Sequence, residues 1–311
     1  VPEEYWTIEA ELSKKKAPAG VFAAKRERIG EKKCEIKDQK TASEILEKVR
    51  PSVFTVKEVK SQAKKRNPTA PFTTSKLQQA AYNQLRFPAS KTMRVAQTLY
   101  EGVEIGDEGS VGLITYMRTD SVRMSDTALK ETREYILKNF GKEYLPAKPN
   151  VYKSKKQAQE AHEAIRPTSV SRRPQDVAGY LSPDQAKLYE LIWAQALSSQ
   201  MTPAVIVQES ADIAAGEHIF RANGSRTEFP GCLVVTGRVE EDDRPLPALS
   251  AGEPLELLKL GHSQHFTKPP ARFTDASLVK ALEEKGIGRP STYAPIISTL
   301  TERNYIRRDG G

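Results

Sequence analysis

A strand-like pattern that stops and later resumes is the feature that most constrains the fold of this chain. Apolar and polar residues alternate from Tyr5 to Leu12, which is the period of a half-buried β-strand. Helical patterns dominate residues 71–202, and strand patterns separated by Gly and Pro turns return from Val205 to Leu260. A β region that resumes after a helical block predicts one domain with another inserted into it.

Apolar periodicity and capping residues predict the individual elements. Ser125 is expected to cap a helix that runs to Asn139. Thr41, as the first residue of a capping box, opens a short helix to Val49. A strand is predicted over Ser52–Lys60, followed by a basic connector that contains a proline. The other predicted helices are Thr74–Gln84, Lys91–Glu101, Pro183–Gln200, Thr274–Lys285 and Ser291–Arg303.

Composition bounds the class of protein and of partner. Lys and Arg outnumber Asp and Glu by 48 to 40, a balance that suits a polyanionic partner but also occurs in many soluble proteins. The chain is 38% apolar and 28% charged, which indicates a soluble protein with a core. Cys34 and Cys232 stand alone, without the spacing of a zinc site. No apolar run approaches the ~20 residues of a membrane span, so we expect a cytoplasmic protein.

The run Gly112–Ser121 places a tyrosine, a cation and a carboxylate within five residues. A phenol has a pKa near ~10 and is a poor nucleophile while protonated, so attack on a phosphate needs help with its proton and charge stabilisation on phosphate oxygens. In an extended segment Arg118 points to the same side as Tyr116, and its planar fork suits two phosphate oxygens. The spacing also fits an ordinary half-buried strand tyrosine, so both interpretations stand.

Four ordered segments carry a resemblance to a known family. GLITYMRTDS at Gly112–Ser121 resembles the active-site signature of type IA DNA topoisomerases, and methionine after the tyrosine resembles bacterial topoisomerase I, whereas topoisomerase III would have proline. The other segments are QEAHEAIRPT at Gln159–Thr168, SQMTPA at Ser199–Ala204, and HFTKPPARF through GIGRPSTY at His265–Tyr293. Together they span most of the chain.

The resemblance implies a mixed α and β, multidomain fold. A β arch domain would comprise residues 1–70 and 203–270, with an inserted helical domain that carries Tyr116 at 71–202. Residues 271–311 would begin a helical DNA-binding base domain. The chain would then be a central fragment that lacks the amino-terminal metal-binding (TOPRIM) domain and the carboxy-terminal zinc ribbons.

The resemblance also implies the cofactors. The full-length enzyme would use Mg²⁺ and no ATP. This sequence has no Asp-x-Asp-x-Glu string, and Glu240–Asp243 resembles a solvated turn. We therefore expect no metal site in this chain.

By resemblance, Tyr116, Arg118 and His162 are the catalytic residues and Arg166 contacts DNA. A helix-like pattern around His162 places Arg166 four residues later, on the same face, so that both can hold the scissile phosphate. A surface histidine in an electrostatic cluster is the alternative, and Arg166 before Pro167 would then only stabilise a helix end.

Arg289, Thr292 and Arg303 resemble the family's positions for binding single-stranded DNA. The predicted helix Ser291–Arg303 has an N-terminus and a hydroxyl suited to phosphate, and an arginine that can stack on a base. A capped helix with an exposed cation is the alternative. The roles of Thr119 and Asp120 stay open between contacts to Arg118 or another domain and simple capping.

The function expected from the resemblance is cleavage of one DNA strand through a 5′-phosphotyrosine, strand passage and resealing, which relaxes negatively supercoiled DNA. The partner is single-stranded or negatively supercoiled DNA, and the protein is expected to be a monomer associated with a bacterial nucleoid. Alternatively the fragment is only a single-stranded DNA clamp without catalysis, or part of a reverse gyrase. A tyrosine recombinase fits poorly, because it needs His-x-x-Arg where this chain has His162-Glu163-Ala164-Ile165-Arg166.

Overall fold

The structure, a computed structural model, describes residues 2–14, 17–153, 162–237 and 243–307. The chain divides into two compact units. The β unit comprises Val1–Arg66, Ala204–Pro230 and Arg238–Ala271, and the helical unit comprises Asn67–Pro203, Gly231–Gly237 and Arg272–Gly311. Parts of two of the segments discussed above lie outside the described residues. The residues concerned are Lys155, Lys156, Gln159–Ala161 and Glu240–Asp242.

The elements confirm a mixed α and β chain. The strands are β1 (Glu4–Lys14), β2 (Ala17–Ile29), β3 (Lys32–Lys33), β4 (Phe54–Arg66), β5 (Val103–Glu104), β6 (Ser110–Val111), β7 (Ala204–Ala215), β8 (His218–Phe229) and β9 (Pro254–Phe266). The helices are α1 (Gln39–Val49), α2 (Thr74–Leu85), α3 (Ala89–Glu101), α4 (Asp126–Asn139), α5 (Pro174–Val177), α6 (Pro183–Ser199), α7 (Asp275–Glu284) and α8 (Tyr293–Glu302). In the part of the chain that the structure describes, no helix has the length and apolar character to cross a bilayer.

The β unit is built on a closed cycle of antiparallel strand pairs. The pairing order is β1-β9-β4-β7-β8-β2, and β2 pairs again with β1. The link between β9 and β4 is short, at Phe54 and Thr55 only. Closing the cycle pairs strand edges that would otherwise be open. The inward side chains of these strands form one core with the buried face of α1. This core includes Ile8, Leu12, Leu46, Phe54, Ile213 and Phe220.

Two predictions about the β unit were wrong. The strand predicted to end at Lys60 continues to Arg66, because β4 pairs with β7 residue by residue as far as Ala204. Helix α1 begins two residues before Thr41, because Asp38 is its N-cap. The Asp38 carboxylate accepts hydrogen bonds from the Thr41 N–H and hydroxyl at 2.8 and 2.9 Å. These bonds hold the pKa of Asp38 below its usual value.

A buried ion network joins three strands of the β unit. Asp212 on β7 accepts hydrogen bonds from Arg28 on β2 at 2.6 Å and from Arg221 on β8 at 2.7 and 2.9 Å. Burial by itself would raise the pKa of Asp212, but the hydrogen bond and charge of Arg221, with the charge of Arg28, hold it below its usual value. The ionised carboxylate of Asp212 thus links β7 to β2 and to β8 through these two arginines.

The helical unit has its main core among α2, α3 and α6. Its buried members include Leu77, Leu99, Ile114, Met117, Tyr189 and Ile192. The expected cap at Ser125 is confirmed, and Ser182 caps α6 through a reciprocal pair of hydrogen bonds with Gln185. Such caps satisfy N–H groups that have no partner within the helix.

Residues of the predicted base domain belong to this same unit. Val279 and Leu282 of α7 and Tyr293 and Ile297 of α8 form a buried cluster with Ala89 at the start of α3. The structure groups 272–311 with 67–203 in one compact unit, and the separate base domain stays a prediction. The arch and inserted domain of the family stay a prediction.

Replacing Asp212 with Asn is expected to lower the free energy of unfolding by about 2 kcal/mol at pH 7, because two guanidinium groups lose their shared carboxylate. A carboxyl whose folded pKa is depressed stabilises the fold above its unfolded pKa of about 4, and that contribution disappears as the pH falls through the folded value. The difference between the wild-type protein and the variant should therefore narrow from pH 7 to pH 3. Urea titrations at both pH values measure it.

Asp176→Asn is the matched control. Asp176 pairs with Arg173 at 2.7 Å on the surface, where solvent screening leaves an ion pair little effect on stability. An equal loss in both variants, or a difference for Asp212→Asn that does not change with pH, would contradict the role of the buried network.

Candidate active site

The segment that carries Tyr116 presents alternate side chains to solvent. Met117 and Thr119 are fully buried, whereas Arg118 is exposed and the Tyr116 side chain is 38% exposed. Alternation in an extended segment sends neighbouring side chains to opposite sides. The structure therefore places Tyr116 and Arg118 on the solvent side, as their spacing predicted.

Thr74, the first residue of α2, holds the backbone of this segment through hydrogen bonds. The Thr74 hydroxyl lies 2.7 Å from the carbonyl oxygen of Met117 and accepts a hydrogen bond from the Thr119 N–H at 2.8 Å. The Thr74 N–H donates to the Thr119 carbonyl at 2.9 Å. Because Thr74 is completely buried, water cannot replace these bonds. The backbone on the carboxy-terminal side of Tyr116 is thus held by one threonine.

A second threonine holds the amino-terminal side. The Thr115 hydroxyl donates to the Ala164 carbonyl at 2.6 Å and accepts from the Arg166 N–H at 3.0 Å. The Thr115 N–H donates to the Arg166 carbonyl at 2.9 Å. The segment with His162 therefore lies directly beside the segment with Tyr116.

The predicted helix around His162 was wrong. Residues 162–164 have no regular secondary structure, and Ile165 forms an isolated bridge with Phe72. The backbone groups that would close helical turns bond instead to neighbouring segments, as when the Ala164 N–H donates to the Arg123 carbonyl at 2.7 Å. His162 and Arg166 are consequently not successive positions on a helix face.

Two rings contact the Tyr116 ring. The His162 ring lies 6.1 Å from it between centroids, with an interplanar angle of 60°. The Tyr100 ring, at the last turn of α3, lies 5.4 Å away with an interplanar angle of 65°. The structure thus brings the His162 ring next to the Tyr116 ring. Sequence reasoning missed Tyr100, Thr74 and Thr115, since none of them has a distinctive local pattern.

Arg118 makes no hydrogen bond or ion pair with the residues that the structure describes. Asp120, a possible partner, is half-buried and does not pair with it. An exposed guanidinium that no described carboxylate neutralises is suited to binding an anion from solution.

Arg166, in contrast, already has partners. Its Nε donates to Glu163 at 2.7 Å, and its other nitrogens donate to the Pro167 carbonyl and, at 3.4 Å, to the Ser125 hydroxyl. Burial by itself would raise the pKa of Glu163, but the bond and charge of Arg166, with bonds from Ser125, hold it below its usual value. This arrangement fits a support for the His162 segment, and the proposed contact of Arg166 with DNA stays a prediction.

The three predicted positions for single-stranded DNA lie at the two ends of α8. Arg289 and Thr292 are exposed at its N-terminal end, and Arg303 is exposed at its C-terminal end. Ten helical residues separate the ends by about 15 Å.

The N-terminus of α8 offers less to a phosphate than the sequence predicted. The Tyr293 N–H donates to the Arg289 carbonyl, and Pro295 has no N–H, so at most Ala294 among the first three helical residues has one available. The Thr292 hydroxyl accepts from the Arg289 N–H at 2.8 Å. Contact with a phosphate at this end would therefore depend mainly on the Arg289 side chain.

Comparisons with known proteins give matches that cover the whole length of this chain. A family model described as DNA topoisomerase matches residues 1–311. Proteins named DNA topoisomerase 1 from two strains of Xylella fastidiosa are each 48% identical over 326 aligned residues, which cover 100% of this chain and 40% of theirs. The solved structure of full-length topoisomerase I from Thermotoga maritima matches with a TM-score of 0.82 and 37% identity, covering 100% of this chain and 49% of that one. The chain thus spans less than half the length of these proteins.

Thr74→Val is expected to lower the free energy of unfolding by about 2 kcal/mol, because buried backbone groups of Met117 and Thr119 lose their partner. Thr74→Ser keeps the hydroxyl and should lose clearly less, which makes it the matched control. Urea unfolding measures both. A loss in Thr74→Val no larger than that in Thr74→Ser would contradict the role of the hydroxyl, because only valine removes it.

Proposed function

Since this chain belongs to the DNA topoisomerase family, we propose that Tyr116 is the nucleophile that cleaves one strand of DNA. The observation that carries the proposal is the juxtaposition of three groups: an accessible phenol on a backbone held at both sides, an arginine without a partner among the described residues, and the His162 ring, whose centroid lies 6.1 Å from that of Tyr116. These are the three kinds of group that phosphoryl transfer to a tyrosine requires.

In the proposed reaction the Tyr116 oxygen attacks the phosphorus of a phosphodiester. The phosphorus–oxygen bond to the 3′ oxygen of the preceding nucleotide breaks, and a 5′-phosphotyrosine forms. The phenol loses its proton, and the departing oxygen gains one to become a free 3′-hydroxyl. The bond count is unchanged, so the reverse attack by this hydroxyl reseals the strand without ATP.

Arg118 and His162 take different parts in this step. Arg118, with an exposed planar fork, would stabilise the charge that develops on the phosphoryl oxygens. His162 would bind the same phosphate or relay a proton, as an imidazole does near neutral pH. Arg166 would act indirectly through Glu163 and the backbone that carries His162.

Between cleavage and resealing, a second strand would pass through the gap, so that the linking number changes in single steps. The expected outcome is relaxation of negatively supercoiled DNA by a type IA enzyme. The sites at Arg289, Thr292 and Arg303 would hold single-stranded DNA, with Arg289 and Arg303 as exposed cations.

Magnesium belongs to the proposal for the longer enzyme, and not to this chain. Among the residues in the four described ranges, no group of three or more His, Cys, Asp or Glu side chains is arranged to hold a metal ion. We propose that Mg²⁺, which prefers oxygen ligands and keeps several waters, is held by residues of the longer enzyme outside this chain. No step proposed for Tyr116, Arg118 or His162 passes through a metal.

The second candidate is a clamp that binds single-stranded DNA without cleaving it. It is favoured by the length of the chain, which covers only 40% of the Xylella fastidiosa proteins and leaves room for essential groups elsewhere. Salt-sensitive binding is expected of either candidate. Only a covalent adduct separates the two.

Tyr116→Phe is expected to abolish a covalent adduct with single-stranded DNA and to leave the dissociation constant within about twofold, because only the hydroxyl is removed. The measurement is a denaturing gel with an oligonucleotide labelled on the 3′ side of the break. Tyr180→Phe, at another exposed tyrosine of the helical unit, is the control and should form the adduct normally. An undiminished adduct with Tyr116→Phe would refute the nucleophile.

Arg118→Lys keeps the charge but loses the fork, so the rate of adduct formation should fall at least about tenfold while DNA affinity changes little. Arg173→Lys, at a surface arginine paired with Asp176, is the matched control and should keep the wild-type rate. A parallel loss of affinity and rate for Arg118→Lys would make Arg118 a general DNA-binding residue.

A further inference from the structure

Tyr100, in the last turn of α3, lies against the proposed nucleophile Tyr116. Its ring meets the Tyr116 ring nearly edge to face, with centroids 5.4 Å apart. This is the geometry that aromatic pairs prefer, since the positive ring edge faces the negative ring face. The contact lies entirely within the helical unit.

The Tyr100 side chain does not belong to the buried core of the helical unit. The buried face of α3 consists of Ala89, Thr92, Val95, Ala96 and Leu99. Tyr100, by contrast, is 40% exposed, a degree close to that of Tyr116. Tyr100 is thus a large aromatic side chain outside the core cluster, and its ring contacts the ring of Tyr116.

Backbone contacts set the separation between the two tyrosines. The Leu113 N–H donates to the Leu99 carbonyl at 2.7 Å, which ties the end of α3 to the segment that leads to Tyr116. A Cβ on Gly112 would lie 2.8 Å from the Tyr100 carbonyl oxygen, so only glycine allows this close approach. On the other side, the Thr168 hydroxyl donates to the Gly112 carbonyl at 2.8 Å.

The Tyr116 ring depends on such contacts for its direction. Its backbone is held by Thr74 and Thr115, but among the described residues its hydroxyl has no hydrogen-bond partner. A tyrosine side chain turns about two torsion angles, and rings in contact with it restrict both. In the described residues, those rings are Tyr100 and His162.

We propose that Tyr100 is a positioning residue that holds the Tyr116 ring in the orientation from which its oxygen reaches the phosphate. Tyr100 acts through its ring edge and does not touch the reacting atoms. Misorientation of a nucleophile lowers the fraction of encounters that have attack geometry, and so slows the covalent step without weakening DNA binding. The inference rests on the proposed function of Tyr116.

The test compares Tyr100→Leu with Tyr100→Phe in the longest natural form of the protein that contains this chain. Single-turnover adduct formation with a labelled single-stranded oligonucleotide gives the covalent rate, and fluorescence anisotropy gives the dissociation constant. We expect the rate to fall about tenfold in Tyr100→Leu, equivalent to about 1.4 kcal/mol, with an unchanged dissociation constant. Tyr100→Phe keeps the ring edge and should retain the wild-type rate within about twofold.

Tyr180→Leu, the same change at another exposed tyrosine, controls for nonspecific effects. A normal rate in Tyr100→Leu would overturn the inference. So would a slow Tyr100→Phe, which would transfer the role to the hydroxyl, or a parallel loss of rate, DNA affinity and thermal stability in Tyr100→Leu, which would make the residue structural. Tyr116→Phe separates the two proposals: an adduct that persists there refutes the nucleophile, whereas its disappearance beside a normal Tyr100→Leu refutes the positioning role alone.

Discussion

The hydrogen bonds between Thr74 and the backbone of Met117 and Thr119 are the constraint on which the candidate site depends. They are buried, and they join residues 43 and 45 positions apart in the chain. An unmade bond here would leave polar groups stranded in the core, which costs about 1–3 kcal/mol each. The start of α2 therefore fixes the strand-like alternation that buries Met117 and turns Tyr116 and Arg118 outward.

The remainder of the site is arranged around that segment by contacts of equally long range. Thr115 binds the backbone on either side of Ile165, which brings the His162 ring to Tyr116. The end of α3 approaches closely at Gly112 and brings Tyr100. A nucleophile needs such restraint, because rate depends on how often its oxygen lies in line with the phosphate.

Local signals explain why much of the fold was predictable. Helices α2, α3, α4 and α6 lie within a few residues of their predicted bounds, because apolar periodicity and caps such as Ser125 act over one or two turns.

Most errors of prediction arose where distant partners decided the structure. β4 runs to Arg66 because β7 is there to pair with it, and the His162 segment is not helical because Thr115, Phe72 and Arg123 take its backbone bonds. Asp38 displaced Thr41 as a cap because two good caps competed within one turn.

By itself the sequence determined the mixed composition of helices and strands, the family, and the residues most suited to phosphate chemistry, because residue type and short spacing encode these properties. Only the tertiary structure decided that His162 meets Tyr116, that Arg118 stays unpaired among the described residues while Arg166 pairs with Glu163, and that Tyr100 borders Tyr116. The Glu163–Arg166 pair joins residues three positions apart, whereas the two ring contacts join residues 16 and 46 positions apart. Their geometry follows from packing and hydrogen bonds between distant segments, which no local pattern records.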